Sequence, residues 1–238
     1  MKKKFTSRLL MACMVLFGWA LINDESVFGQ DAKPQNVFIS SPVLPKDLKR
    51  VVVLPLTCKK SGADLLDGCE MLNPVLQAQL VKTKKFEVIP VGSEMLRSLT
   101  GKFGWTGAEV LPPDFFNSLE ESYGCDAVLF CQLTVFRAYA PLAVGWRMKL
   151  VDVHSQKIIW AADEVFDANE PAVARGAEQF EKHQQRIHGE TAFLFKAFWK
   201  LADREPQPVL DDQWAILNSP RYFGQYSAVK LLESLPER

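Results

Sequence analysis

Arg50 to Thr57 (RVVVLPLT) is an almost unbroken β-branched and aliphatic run. A strand that packs on one side only alternates apolar with polar residues, and this one does not. It suits a strand covered on both faces, so helices are expected on both sides of its sheet. Leu65, Cys69, Leu72, Leu76 and Leu80 then recur at helical spacing. Pro74 interrupts them, and Asn73 as N-cap with Pro74 in the first turn predicts a fresh helix start there, leaving 64–71 as a separate helical turn.

Phe86 to Val91 reads as a second short strand ending at Gly92 and Ser93, and Glu94 to Leu99 as a short helix. Residues 100–113, with three glycines and two prolines, read as a surface loop. Asp114 to Tyr123 places Phe116, Leu119 and Tyr123 on one helical face, with Gly124 as its stop. Asp126 to Arg137 opens apolar and then alternates. Val144, Trp146, Met148 and Leu150 alternate with Gly145, Arg147 and Lys149, the pattern of a half-buried strand with a polar face. After a polar turn at Asp152 to Lys157, a returning strand runs to Phe166.

The expected fold class is therefore mixed α/β (α+β): a three-layer-like mixed sheet of about five strands with flanking helices. Its early strands are parallel and its last pair is an antiparallel hairpin. C-terminal helices follow. One is expected over 172–202, with a break near Gly189 and an apolar face of Phe193, Leu194, Ala197, Phe198 and Leu201 widened by Phe195 and Trp199. A last helix starts at Ser219-Pro220 and docks through Tyr226, Leu231, Leu232 and Leu235.

Ahead of the domain, Lys2, Lys3, Lys4 and Arg8 precede an uncharged apolar run from Leu9 to Ile22, and Val27-Phe28-Gly29 suits a cut before Gln30. Residues 1–29 read as a secretory signal peptide, 30–48 as a linker with Pro34, Pro42 and Pro45, and 49–238 as one domain whose helical extension begins near 170. An uncleaved anchor and a lipid on Cys13, within Leu10-Met11-Ala12-Cys13, stay open as routes to the membrane. The whole chain has zero net charge, and losing 1–29 leaves about −2. That balance lacks the basic excess of a nucleic-acid binder, so none is expected as a partner.

Export makes the cysteines informative, because oxidising compartments permit disulfides. Cys58 and Cys69 flank a short loop and can come close. Cys125 and Cys131, six apart on one expected strand, cannot bridge each other. No spacing is CxxC, and a structural zinc is not expected.

The search for catalytic chemistry yields no site residue, metal or cofactor. No phosphate-binding GxxxxGK[ST] occurs, and Gly101, Gly104 and Gly107 are spaced GxxGxxG without a preceding strand. His183 and His188 are five apart, which turns them from each other on a helix, and Glu181, Glu190 and Asp163 join them only if the fold gathers them. His154 falls in the hairpin turn. No GxSxG elbow is present. Glu120-Glu121 and Asp211-Asp212 read as solvated surface pairs.

Four segments then line up. They are RVVVLPL (50–56), FEVIPV (86–91), YGCDAVLFCQLTVFRAY (123–139) and VGWRMKLVDVHSQKIIWAADEVFDA (144–168). Together they resemble the bacterial envelope lipoproteins and periplasmic proteins related to the curli-secretion lipoprotein and the peptidoglycan-synthase activator lipoproteins. The resemblance covers about residues 50–168 and rests on structural motifs. These are Val53-Leu54-Pro55-Leu56, Phe86 to Ile89, Tyr123 to Leu129, and the hairpin Leu150 to Trp160 with Asp152 at its corner. Gln156 stands where the group has a turn glycine, and Phe130-Cys131 where it has a glycine after the third strand. The C-terminal segment from Trp214 has no counterpart in that pattern. The resemblance implies an exported, noncatalytic cell-envelope accessory protein with a protein partner, reached through a sheet edge or the terminal helices. Two other readings stay open. One is a small-molecule or glycan-binding component whose pocket would be lined by Trp105, Trp146 and Trp160. The other is an enzyme of unfamiliar type.

Overall fold

The buried run at Arg50 sits one strand in from the edge of a seven-stranded mixed sheet. The computed structural model describes residues 33–58, 63–201 and 216–238, the helix over 187–201 by its backbone only. The signal segment and the apolar face from Phe193 to Leu201 lie outside what is described. In chain order the elements are β1 (Val37–Ile39), β2 (Arg50–Val53), β3 (Thr57–Cys58), α1 (Ala63–Thr83) and β4 (Glu87–Pro90). Then come α2 (Ser93–Thr100), α3 (Phe115–Tyr123), β5 (Ala127–Arg137), β6 (Ala143–Asp152) and β7 (Ile158–Asp167). The chain closes with α4 (Pro171–Leu201), a 3-10 turn (Ile216–Asn218) and α5 (Pro220–Leu232).

The strand order is β1-β7-β6-β5-β2-β4, with β3 pairing β5 beyond the end of β2. β2 lies parallel to both β4 and β5, and β5, β6 and β7 form an antiparallel meander. The alternation within the strands sorts side chains into two cores. Val51, Val53, Leu129, Leu133, Trp146, Met148 and Leu150 meet α1, α5 and the start of α4 on one face. Val52, Leu54, Val128 and Phe130 meet α2 and α3 on the other, where Phe115 stacks on Phe130 at 5.8 Å. The mixed sheet with helices on both faces matches the expected class. The strand count is seven where about five were expected, because β1 is too short to show periodicity and the run from Arg50 divides into two strands.

Five local expectations need correction. α1 runs unbroken through Pro74. The side chain of Asn73 does not act as the expected cap; its Oδ1 accepts the backbone N–H of Leu56 at 3.2 Å. The continuous stripe Cys69, Leu72, Val75, Leu76 and Leu80, buried on the sheet, outweighs the one bond that Pro74 cannot make. The RVVVLPLT run divides into β2 and β3, with Pro55, which has no N–H to offer a ladder, between them. The stretch read as a linker supplies β1, which pairs antiparallel with β7, and buries Leu44 and Leu48. Finally, α4 continues past Gly189, and Cys125 precedes β5, facing the opposite core from Cys131.

The turns carry the motifs behind the resemblance. Gly124 ends α3 at φ 57°, a left-handed conformation that glycine adopts without strain. Asp126 Oδ2 accepts the backbone N–H groups of Lys49 and Arg50, both at 2.7 Å, and so ties the start of β2 to β5. At the β6–β7 corner Asp152 Oδ1 accepts Ser155 N–H at 2.6 Å and the Ser155 hydroxyl at 2.7 Å. Gln156 follows at φ 55°, held where the related pattern has glycine. A Cβ in that region costs roughly 1–2 kcal/mol, and glycine's extra unfolded freedom offsets about half of it. Gln156→Gly is therefore expected to raise stability by about 0.5–1 kcal/mol in urea unfolding, and a loss of stability would contradict this account of the turn.

Burial raises the thiols of Cys125 and Cys131 to about 11 and about 12 from an ordinary 9.0. A raised pKa means that the unfolded chain loses these protons first as pH rises. Their contribution is thus intact below pH 9 and is lost toward pH 12. Cys131, 1% exposed, then weakens folding by up to about 1.4 kcal/mol per pH unit. Urea unfolding at pH 8 and at about pH 10 measures the slope, which Cys131→Ala is expected to flatten.

Candidate interaction surface

Helices do not treat the two sheet faces alike. On the first, α1, α4 and α5 span the strands from β2 to β7. On the second, α2, α3 and the loop 101–113 cover β2, β4 and β5. On this second side Ala143, Gly145 and Val151 of β6 are buried, whereas Arg147, Lys149, Ile158, Ala161, Asp163, Val165 and Phe38 are exposed or half-buried. Register places them in rows across the three strands. Lys149, Ala161 and Phe38 form one row, Arg147 and Asp163 the next, and Gly145 and Val165 the third. Ile158 sits opposite Val151 at the far end. A register shift between Leu150 and Val151 turns both Ile159 and Trp160 toward the first core and leaves Ile158 on the open side.

Phe38 is 54% exposed, Val165 43% and Ile158 37%, three apolar groups on one solvated sheet face. Between them Arg147 grips one oxygen of Asp163 through Nη2 at 2.6 Å and Nε at 2.7 Å. Lys149 Nζ donates to the carbonyl of Gly107, which pins the loop 101–113 along the border of the face. Within that loop Lys102 and Glu109 pair at 2.7 Å, and the Lys102 ammonium holds the Glu109 carboxyl below its usual range. The sheet edges are short. β1 offers three residues, and β4 ends on Pro90, so neither is a long template for a partner strand.

The three tryptophans do not line a pocket. Trp146 and Trp160 are fully buried in the first core, where their indole N–H groups donate to Ser227 and Ser234. Trp105 is buried in the second core and donates to Thr100 Oγ1 at 2.7 Å. The larger of two described cavities, about 320 Å³, lies between α1 and α5 against Gln79, Lys82, Lys85, Leu232 and Glu233 and has no aromatic wall. Histidine and acidic residues also stay apart. His154 stands 3.6 Å from Glu120, His183 Nδ1 lies 3.5 Å from Arg186, and Asp163 is held by Arg147. The side chains of His188 and Glu190 are outside the described residues. Among the described residues no group of three or more His, Cys, Asp and Glu is placed to hold a metal ion, and no helix is long and apolar enough to cross a membrane.

The molecule is thus a mixed α/β domain with two packed cores and one half-open sheet face. No protein-family model matches the chain, and no curated relative does. Among solved structures it is similar to the lipoprotein GNA1162 from Neisseria meningitidis, at 17% identity and a TM-score of 0.38, over 60% of this chain and 96% of that one. The PelC dodecamer from Paraburkholderia phytofirmans is similar at 15% identity and a TM-score of 0.37, over 58% of this chain and 86% of that one. The C-terminal domain of LpoB from Salmonella enterica is similar at 17% identity and a TM-score of 0.35, over 50% and 82%. Of these neighbours, GNA1162 is itself described as a lipoprotein.

Phe38 escapes sequence reasoning because it lies in the proline-flanked stretch before the domain. Arg147 and Lys149 were legible as the polar face of a half-buried strand.

Proposed function

We propose that this chain is an exported, noncatalytic accessory protein of the cell envelope that holds a protein partner on the open face of β6, β7 and β1. The observation that carries the reading is that face itself. Exposed Phe38, Ile158 and Val165 surround an arginine–carboxylate pair, and aromatic residues with arginine are the groups enriched at protein contacts. Chemistry has little to work with there, because Asp163 is already claimed by Arg147 and Lys149 by a carbonyl. The signal segment supports export, and the sequence resemblance supports an accessory role in the envelope. The terminal helix offers less apolar surface, since α5 directs most of its apolar side chains into the first core and exposes Tyr222.

Val165→Asp is expected to weaken partner capture from envelope extracts at least tenfold, which is about 1.4 kcal/mol. Its melting temperature should stay near that of the parent chain, because Val165 is 43% exposed. Val81→Asp, on an exposed position of α1, is the control and should bind normally. Equal loss from both substitutions, or from neither, contradicts the assignment of this face.

A further inference from the structure

The geometry points to a disulfide between Cys58 and Cys69 in the exported protein, joining β3 to the second turn of α1; this inference rests on the export reading above. Two contacts place the pair. Leu56 N–H donates to Asn73 Oδ1 at 3.2 Å, which fixes the register between strand and helix. Two residues along a strand and four along a helix advance by similar distances on one face. Moving from Leu56 to Cys58 and back from Asn73 to Cys69 therefore turns the two thiols toward each other, and both pack in the first core, Cys69 buried and Cys58 partly buried against it. β3 is held from its other side by pairing of Thr57 and Cys58 with Gln132 and Leu133, and by the Thr57 hydroxyl on the Cys131 carbonyl at 3.0 Å. Gly68 lies directly against the Phe136 ring, where even a Cβ would come within 2.5 Å, so this end of α1 is pressed onto β5. Cys125 is in the opposite core, across the sheet.

The two thiols differ in a way that orders the reaction. Cys58 is half-buried and Cys69 buried. Burial, with Cys58 beside it, pushes the Cys69 thiol far above its ordinary range. Cys58 thiolate attacks a small or protein disulfide, forming a mixed disulfide and releasing one thiolate of the oxidant. Cys69, after losing its proton to solvent, attacks the Cys58 sulfur and expels the second thiolate. Two protons and two electrons leave the pair, and the oxidant disulfide becomes two thiols.

The test uses the full chain in two arms. In the first, purified reduced protein is equilibrated with oxidised glutathione, alkylated and digested with trypsin. Cleavage after Arg50, Lys59, Lys60 and Lys82 separates the Cys58 peptide (51–59) from the Cys69 peptide (61–82). The expected product is these two peptides joined, with the mass of two hydrogens lost, while Cys125 and Cys131 are alkylated only after unfolding. Reductant should lower the melting temperature by roughly 6–10 °C. The C58S/C69S double variant should melt like the reduced protein and ignore reductant. Glutathione adducts without the joined peptides, or a Cys58–Cys131 product, overturns the pairing. In the second arm, thiols are trapped by acid in cells before lysis. Joined peptides there support the bond in its compartment. A bond that forms in the first arm while trapped protein is fully reduced overturns the export reading and leaves the pairing standing.

Discussion

A chain that stops at Gln213 is expected not to fold. The segment it loses contains Ile216, Phe223, Tyr226, Ala228, Leu231, Leu232 and Leu235, all 3% exposed or less in the first core. Each large apolar side chain among them is worth about 1.5–3 kcal/mol when buried. Their sum, roughly 9–18 kcal/mol, is as large as the 5–15 kcal/mol that holds a typical domain together. The stretch from Pro42 to Leu48 also clasps the C-terminal residues. Leu44 N–H donates to the Glu237 carbonyl at 2.7 Å, Glu237 N–H returns to Pro42 at 3.0 Å, and Arg238 Nη1 reaches the Leu48 carbonyl at 2.9 Å. Ser219 caps α5 at Tyr222 N–H, and Pro220 occupies its first turn, so the helix begins where the core needs it. Urea unfolding of the truncated chain should show no cooperative transition. A cooperative melt within a few degrees of the parent would mean that α5 is an appendage.

Trp146→Ala is expected to cost about 3–5 kcal/mol, the usual range for removing a buried indole. Trp146 is fully buried in β6, and its Nε1–H donates to Ser227 Oγ at 2.8 Å, which itself donates to the Gly224 carbonyl at 3.0 Å. The indole thus joins the sheet to α5 through one bond, which the second continues within the helix. Trp146→Phe keeps most of the volume and removes only the donor, so a loss of about 1–2 kcal/mol is expected. Ser227→Ala leaves the indole N–H unpaired and should cost about 1–3 kcal/mol. Denaturant midpoints measure all three. A Trp146→Ala loss below about 1 kcal/mol would contradict the packing described here.

Most of the sheet was legible because its long strands alternate. β5, β6 and β7 have enough residues for period two to show, and Gly124 and Asp152 mark turns whose chemistry is local. What was not legible depends on tertiary contact. β1 has three residues, two of them exposed, and only its pairing with β7 defines it. Pro74 read as a helix start because local propensity is silent about the sheet that holds α1 straight. The open face is harder still, since it follows from where α2 and α3 do not reach. Arg147 and Lys149 marked it as polar, while Phe38 joins it through a neighbour 123 residues away, Ala161.

The central claim is that the face of β6, β7 and β1 holds a protein in the envelope. A photo-crosslinking residue at position 165 of the full chain, activated in living cells, tests it most directly. The account predicts one discrete adduct in the envelope fraction, absent when the same residue is placed at position 81 on α1. Adducts of equal strength at both positions, or none at 165 in a chain that is folded and exported, would contradict it.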